Sequence, residues 1–460
     1  MKKTFAFCRF LLLILVSSAY AEVRLPAIFG DHMVLQQQTS VKLWGWANPM
    51  EEITVTAGWD GTTYTAKADS YSNWSIMLQT PAAGGPYEMK LEGSNTLLLS
   101  DILIGEVWLG SGQSNMQWSA SAGIDDADTA MEEANYPEIR LFQVGRRAAD
   151  TPQLDLEGQW EVCKRESMKD FSAVGYFFAR GLHQELKIPI GVIHSSWGGT
   201  PAETWINPEV IQNNPRLVAA AEKIKPMPWC PEAPGQTYHS MIAPLIPFPL
   251  AGVIWYQGET NTANPETYTE MFTALIENWR KEWGREFPFY YVQIAPYKYE
   301  VPEVGVLVRE AQLQTLKVPN TGMVVVSDIG NINDIHPRNK SDVGKRLANL
   351  ALAGTYGREG IPYSGPLYKS VEMERRRVRV SFDHAENGLV VKGGALTHFE
   401  IAGADGVFVE AKARIDKNTV LVSSGKVKNP KAVRFAWSNT AEPNLFNTEG
   451  LPASCFRSAE

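Results

Sequence analysis

The chain has 460 residues, 44% of them apolar and 20% charged, with a formal net charge of −8. That length allows two to four domains, each with its own core, while an ordinary content of 37 Gly and 28 Pro excludes collagen-like or largely disordered chains. The acidic balance, with no basic block, argues against nucleic acid as a partner and against a polyanionic substrate.

Residues 1–21 read as a secretory leader. Lys2, Lys3 and Arg9 flank the apolar run Leu11–Val16, and Ala19-Tyr20-Ala21 supplies the small residues of a cleavage site. The run is too short to span a bilayer, which needs about 20 residues, so an exported protein, periplasmic or secreted, is expected. Cys163, Cys230 and Cys455 remain beyond the leader and allow at most one disulfide.

From 22 to 100 the chain reads as a β-sandwich-like domain. Ile53, Val55, Ala57 and Trp59 alternate with polar residues, and Val41-Lys42-Leu43-Trp44-Gly45-Trp46 is another strand. Trp44, Trp46, Trp59 and Trp74 are read as packing residues rather than a sugar-stacking face. From 101 to 358 apolar strands alternate with amphipathic helices. The expected strands are 102–109, 139–144, 190–194, 252–256, 289–294 and 323–327, and the helices include 172–186, 268–283 and 341–353, the last with Ser341 as its N-cap. This alternation implies a doubly wound α/β sheet. Seven prolines between Pro226 and Pro249 mark an irregular insertion. From 359 to 460 the β pattern returns, with Val378, Val380 and Phe382, then Val433, Phe435 and Trp437, on alternate positions.

Ligands of open α/β sheets bind beyond the carboxyl ends of the strands. Four polar clusters follow expected strands: Gly112-Gln113-Ser114-Asn115-Met116, Ser196-Trp197-Gly198-Gly199-Thr200, Gln257-Gly258-Glu259-Thr260-Asn261 and Asp334-Ile335-His336-Pro337. Ser114 is a candidate nucleophile in a turn at a helix start, with Ser195 and Ser196 competing for the role. Asp334 and His336 are two apart in an extended segment, so the carboxylate is expected to accept from imidazole Nδ1–H and leave Nε2 free as base. Asp328 is the alternative acid. The N–H groups of Ser114, Gly198 or Gly199 and the side-chain amide of Gln257 or Asn261 are candidate oxyanion donors. A glycosidase using Glu259 and Asp334 is the competing chemistry. No cofactor or metal is expected, because the seven histidines show no paired ligand spacing.

The four clusters, read in order, resemble the block motifs of sialate O-acetylesterases, members of the SGNH (GDSL-like) hydrolase superfamily. The resemblance spans about residues 23–457. It implies a flavodoxin-like three-layer α/β/α SGNH hydrolase domain flanked by all-β regions, and removal of acetyl groups from sugar hydroxyls, with sialic acid as substrate and acetylated xylan or another acetylated sugar as alternative. It further implies Ser114 as nucleophile, His336 as base, and Gly198 or Gly199 as oxyanion donor. The superfamily's acid stands three residues before the histidine, where this chain has Asn333, so Asp334 is displaced by one.

Overall fold

The structure, a computed structural model, describes residues 22–458, so the expected leader lies outside the described residues. Its centre is a mixed sheet whose strands are β1 (Thr96–Gly112), β2 (Asn135–Gln143), β3 (Trp160–Lys164), β4 (Ile190–Ser196), β5 (Gly252–Tyr256), β6 (Phe289–Val292) and β7 (Thr321–Val324). They lie in the order β7-β6-β5-β1-β4-β2-β3. All neighbours are parallel except β3, which runs antiparallel to β2 at the edge. The parallel sheet expected from the alternation is therefore mixed, because the short strand β3 carries too little pattern to announce itself.

Helices α1 (Ser114–Gln117), α2 (Ala173–Leu186), α3 (Tyr268–Trp283), α4 (Val304–Thr315) and α5 (Lys340–Gly354) accompany it. Alternate residues of β5 point to opposite faces, as pleating requires. Val253 and Trp255 join the core under α3, with Phe272, Ile276 and Trp279, while Ile254 and Tyr256 join the core under α2 and α5. Those two helices pack closely: a Cβ on Gly344 of α5 would lie 2.5 Å from Phe177 Cβ and 2.8 Å from the Val174 carbonyl oxygen, so no side chain fits there. The α5 N-cap is Asn339, whose side chain accepts from the Asp342 N–H, and not Ser341 as its spacing had suggested. Two residues earlier, Asn caps equally well by the same chemistry.

β1 is 17 residues long and runs through the expected boundary at residue 100. Its first half pairs with Gly84–Glu92 and Val34–Gln36 of the N-terminal β region, and its second half is the middle of the α/β sheet. Asp101, within this strand, sits at φ +54°. Its carboxylate is held by the buried Arg140 and by His32. Trp74 is buried in the N-terminal core and Trp44 packs edge-on against Phe29 at 4.7 Å, in line with packing roles. The C-terminal region is all β and encloses a third core around Val378, Val380, Val433 and Phe435. Cys163, Cys230 and Cys455 are free and buried. Among the described residues no helix is long and apolar enough to cross a membrane.

Candidate active site

The carboxyl ends of β1, β4 and β5 are neighbours, and the polar clusters that follow them meet there. Gly112 ends β1 at φ +136°, and a Cβ on it would fall 2.2 Å from the Tyr256 carbonyl oxygen, so only glycine permits the close turn into α1. Ser114 is the first residue of that helix. Gln113 stitches the turn to the β5 cluster by accepting from the N–H groups of Gly258 and Thr260. The β4 cluster presses on the same residue, since a Cβ on Gly198 would lie 3.2 Å from Ser114 Cβ.

The fourth cluster closes the site. His336 Nε2 lies 2.9 Å from Ser114 Oγ across 222 residues of chain. The Trp118 ring stacks on the imidazole with centroids 4.1 Å apart and planes 17° from parallel. Burial pushes the His336 pKa below its ordinary value; the charge of Lys340 adds to this and that of Asp334 opposes it. His336 thus stays neutral, and able to accept a proton, at lower pH than a free histidine.

A buried brace under the pair was not anticipated. Asn115 donates both amide hydrogens, to Glu259 Oε1 at 2.6 Å and to the Ile335 carbonyl at 3.0 Å, and accepts from Lys340 Nζ at 2.5 Å. It therefore ties the serine turn directly to the loop carrying His336. Burial raises the Glu259 pKa and lowers that of Lys340 to about 7. Asn115 was visible as part of the Ser114 cluster, but Lys340 reads in sequence as an ordinary surface lysine.

Several expected roles are corrected. Asp334 Oδ1 accepts from the His336 main-chain N–H at 2.9 Å, and among the described residues no carboxylate bonds His336 Nδ1. The segment turns here instead of staying extended, so the i, i+2 geometry does not arise. Asp328 is engaged by both Arg346 guanidinium nitrogens at 2.7 Å. Asn333 accepts from Lys298. Gln257 spends its two amide hydrogens on the Asn261 side chain and the Thr200 carbonyl, and Asn261 spends its own on Glu203 and Asn264. Both residues are fully buried and have no donor left for a substrate. The Gly198 N–H donates to Gln117 Oε1 at 2.7 Å. Among the described residues the N–H groups of Ser114 and Gly199 carry no hydrogen bond, and the Gly199 turn is held from behind by Thr260 Oγ1 on its carbonyl. Ser195 is buried with its hydroxyl on the Met241 carbonyl. Glu259, one carboxylate of the glycosidase alternative, is 6% exposed and its Oε1 accepts from Asn115 in the brace.

Residues 104–353 match the family described as carbohydrate esterase, sialic acid-specific acetylesterase. Sialate O-acetylesterases of Rattus norvegicus and Homo sapiens are 32% identical to the chain over 418 and 399 residues; each alignment takes in 77% of this chain, with 77% and 75% of the relative. The crystal structure of a carbohydrate acetylesterase from Xanthomonas citri is similar at 39% identity and a TM-score of 0.87, over 95% of this chain and 99% of that one. Sheet, crevice and relatives together define an enzyme that hydrolyses esters. Within that class, the chain belongs to the carbohydrate esterase family of sialic acid-specific acetylesterases.

Proposed function

We propose that this enzyme removes O-acetyl groups from sugar hydroxyls, those of sialic acid above all, by acyl transfer through Ser114. The observation that carries the reading is the 2.9 Å contact between Ser114 Oγ and His336 Nε2 at the carboxyl end of the sheet. In this reading Nε2 takes the hydroxyl proton as Oγ attacks the acetyl carbonyl. The Ser114 and Gly199 N–H groups receive the oxyanion, and His336 returns the proton to the departing sugar oxygen. Water then releases acetate from the acetyl-enzyme by the same base. Trp118 takes over part of the work of a triad acid, because an aromatic face attracts the imidazolium as it forms, and Asn115 sets the distance between base and nucleophile.

The helices on both faces of the sheet and the position of the pair support placement in the SGNH superfamily, with a flavodoxin-like three-layer domain. The leader-like first 21 residues support export to the periplasm or beyond. The similarity to an enzyme described only as a carbohydrate acetylesterase favours a second reading with a neutral acetylated sugar as substrate. Acetate release by purified protein from 9-O-acetylated sialic acid and from acetylated xylan separates the two. Release from neither would refute both.

A further inference from the structure

The cavity in front of Ser114, of about 440 Å³, falls in the size range of small-ligand sites. Two charged side chains line it, Asp170 and Arg146, both of them exposed. Asp170 stands where this cavity meets a neighbouring one, and its Oδ1 accepts from the Ser121 hydroxyl. Arg146 follows the carboxyl end of β2 by three residues. The backbone on either side of it is anchored: the Gly145 N–H donates to the Glu157 carbonyl, and the Arg147 carbonyl accepts from the Ser240 hydroxyl. The Arg146 guanidinium lies over the Trp197 ring, 5.9 Å from its centroid. Trp197 is itself fixed. Its indole N–H donates to the Trp229 carbonyl, and its main-chain N–H donates to the carbonyl of Gly112, two residues before Ser114. The arginine is thus seated on an aromatic ring beside the serine turn, yet among the described residues no carboxylate or carbonyl pairs with its N–H donors.

We propose that Arg146 determines specificity by taking the carboxylate of an acidic acetylated sugar while the ester lies at Ser114. A guanidinium is planar and always charged, and it meets a carboxylate through two parallel N–H···O bonds, so it fixes orientation as well as charge. A neutral sugar has only hydroxyls to offer it. The protein as a whole carries a net charge of −8 and repels an anion at a distance. An unpaired cation within the cavity offsets that repulsion where the substrate docks. The inference rests on the acetyl-sugar esterase reading and deepens it, since it favours a sugar acid such as sialic acid over acetylated xylan.

The test uses the methyl glycoside of 9-O-acetylated sialic acid and its analogue with the carboxylate replaced by a primary carboxamide, which keeps the shape and removes the charge. Acetylated xylan and p-nitrophenyl acetate are run alongside. A charge-assisted contact, discounted for exposure, contributes about five- to tenfold. Wild type is therefore expected to prefer the carboxylate by that factor in kcat/KM, mainly through KM, and the preference should shrink as salt is added. Arg146→Gln should reduce it below about twofold. Arg146→Lys keeps the charge without the planar fork and should leave an intermediate value. The preference is a ratio within one preparation, so any loss of folded protein cancels. No preference in wild type, or the same preference in wild type and Arg146→Gln, overturns the subsite and leaves the esterase reading standing. Hydrolysis of acetylated xylan with neither sialic ester cleaved does the same. Turnover of p-nitrophenyl acetate with no sugar ester hydrolysed overturns the esterase reading, and the subsite with it.

Discussion

Asp334→Asn separates the observed site from a conventional Ser-His-Asp triad. In such a triad the carboxylate holds the imidazole through Nδ1–H, and its replacement by the amide lowers kcat about 10⁴-fold because the wrong tautomer is stabilised. Here Asp334 accepts from the His336 main-chain N–H instead. Asparagine keeps an acceptor oxygen in the same place, so what is lost is the charge assistance of one hydrogen bond. Charge-assisted bonds are about twice as strong as neutral ones, which puts the loss near fivefold in kcat. The Asp334 charge also holds the His336 pKa up. Its removal lets that pKa fall, so the acid limb of the kcat/KM profile should move to lower pH. Asp334 is exposed, and salt should shrink the shift. Trp118→Leu, which removes the stacked ring, should cost more, about tenfold or above. Kinetics of both variants from pH 5 to 8, with melting curves, would decide. A 10⁴-fold loss in a normally folded Asp334→Asn enzyme would refute the reasoning.

Ser114→Ala should abolish ester hydrolysis at unchanged melting temperature, and a fluorophosphonate should label Ser114 in the wild type only. Wild-type kcat/KM should rise with pH through a step below the ordinary histidine value of about 6.5; Lys340→Met removes a nearby positive charge, so its step should lie at higher pH, which the same titration reads. Gln257→Ala and Asn261→Ala should lower the melting temperature by several degrees, since each leaves buried partners unsatisfied. A stable Gln257→Ala enzyme with kcat down a hundredfold would return that amide to the oxyanion hole. Activity should survive exhaustive chelation, and recovery only with added zinc would contradict the serine mechanism.

Strong periodicity was readable. α3 occupies the 268–283 span expected from its apolar stripe. The meeting of Ser114 and His336 followed from two polar clusters placed after strands. What stayed hidden was hidden for physical reasons. α4 has polar residues on its buried faces: Arg309 reaches the Asn439 carbonyl, Glu310 pairs with Arg457, and Gln312 bonds the carbonyls of Gln257 and Val292. It lies between the catalytic sheet and the C-terminal β region, so the helical stripe is erased. The roles of Gln257 and Asn261 were misjudged for a related reason. A side-chain amide in a loop beside Ser114 reads as a donor until its hydrogens are counted, and here all four are taken.

The strand that delivers Ser114 begins among the N-terminal β pairs and ends at the turn that carries this serine. A protease cut or a truncation near residue 100 would therefore not release a self-sufficient catalytic unit. It would strip the central strand of its anchored half and open the hydrogen-bonding edge between Thr96 and Ile104. In the same way, a graft of this N-terminal region onto another enzyme would carry an unfinished strand in search of a partner. The two regions share one spine, and they must be made, moved and inherited together.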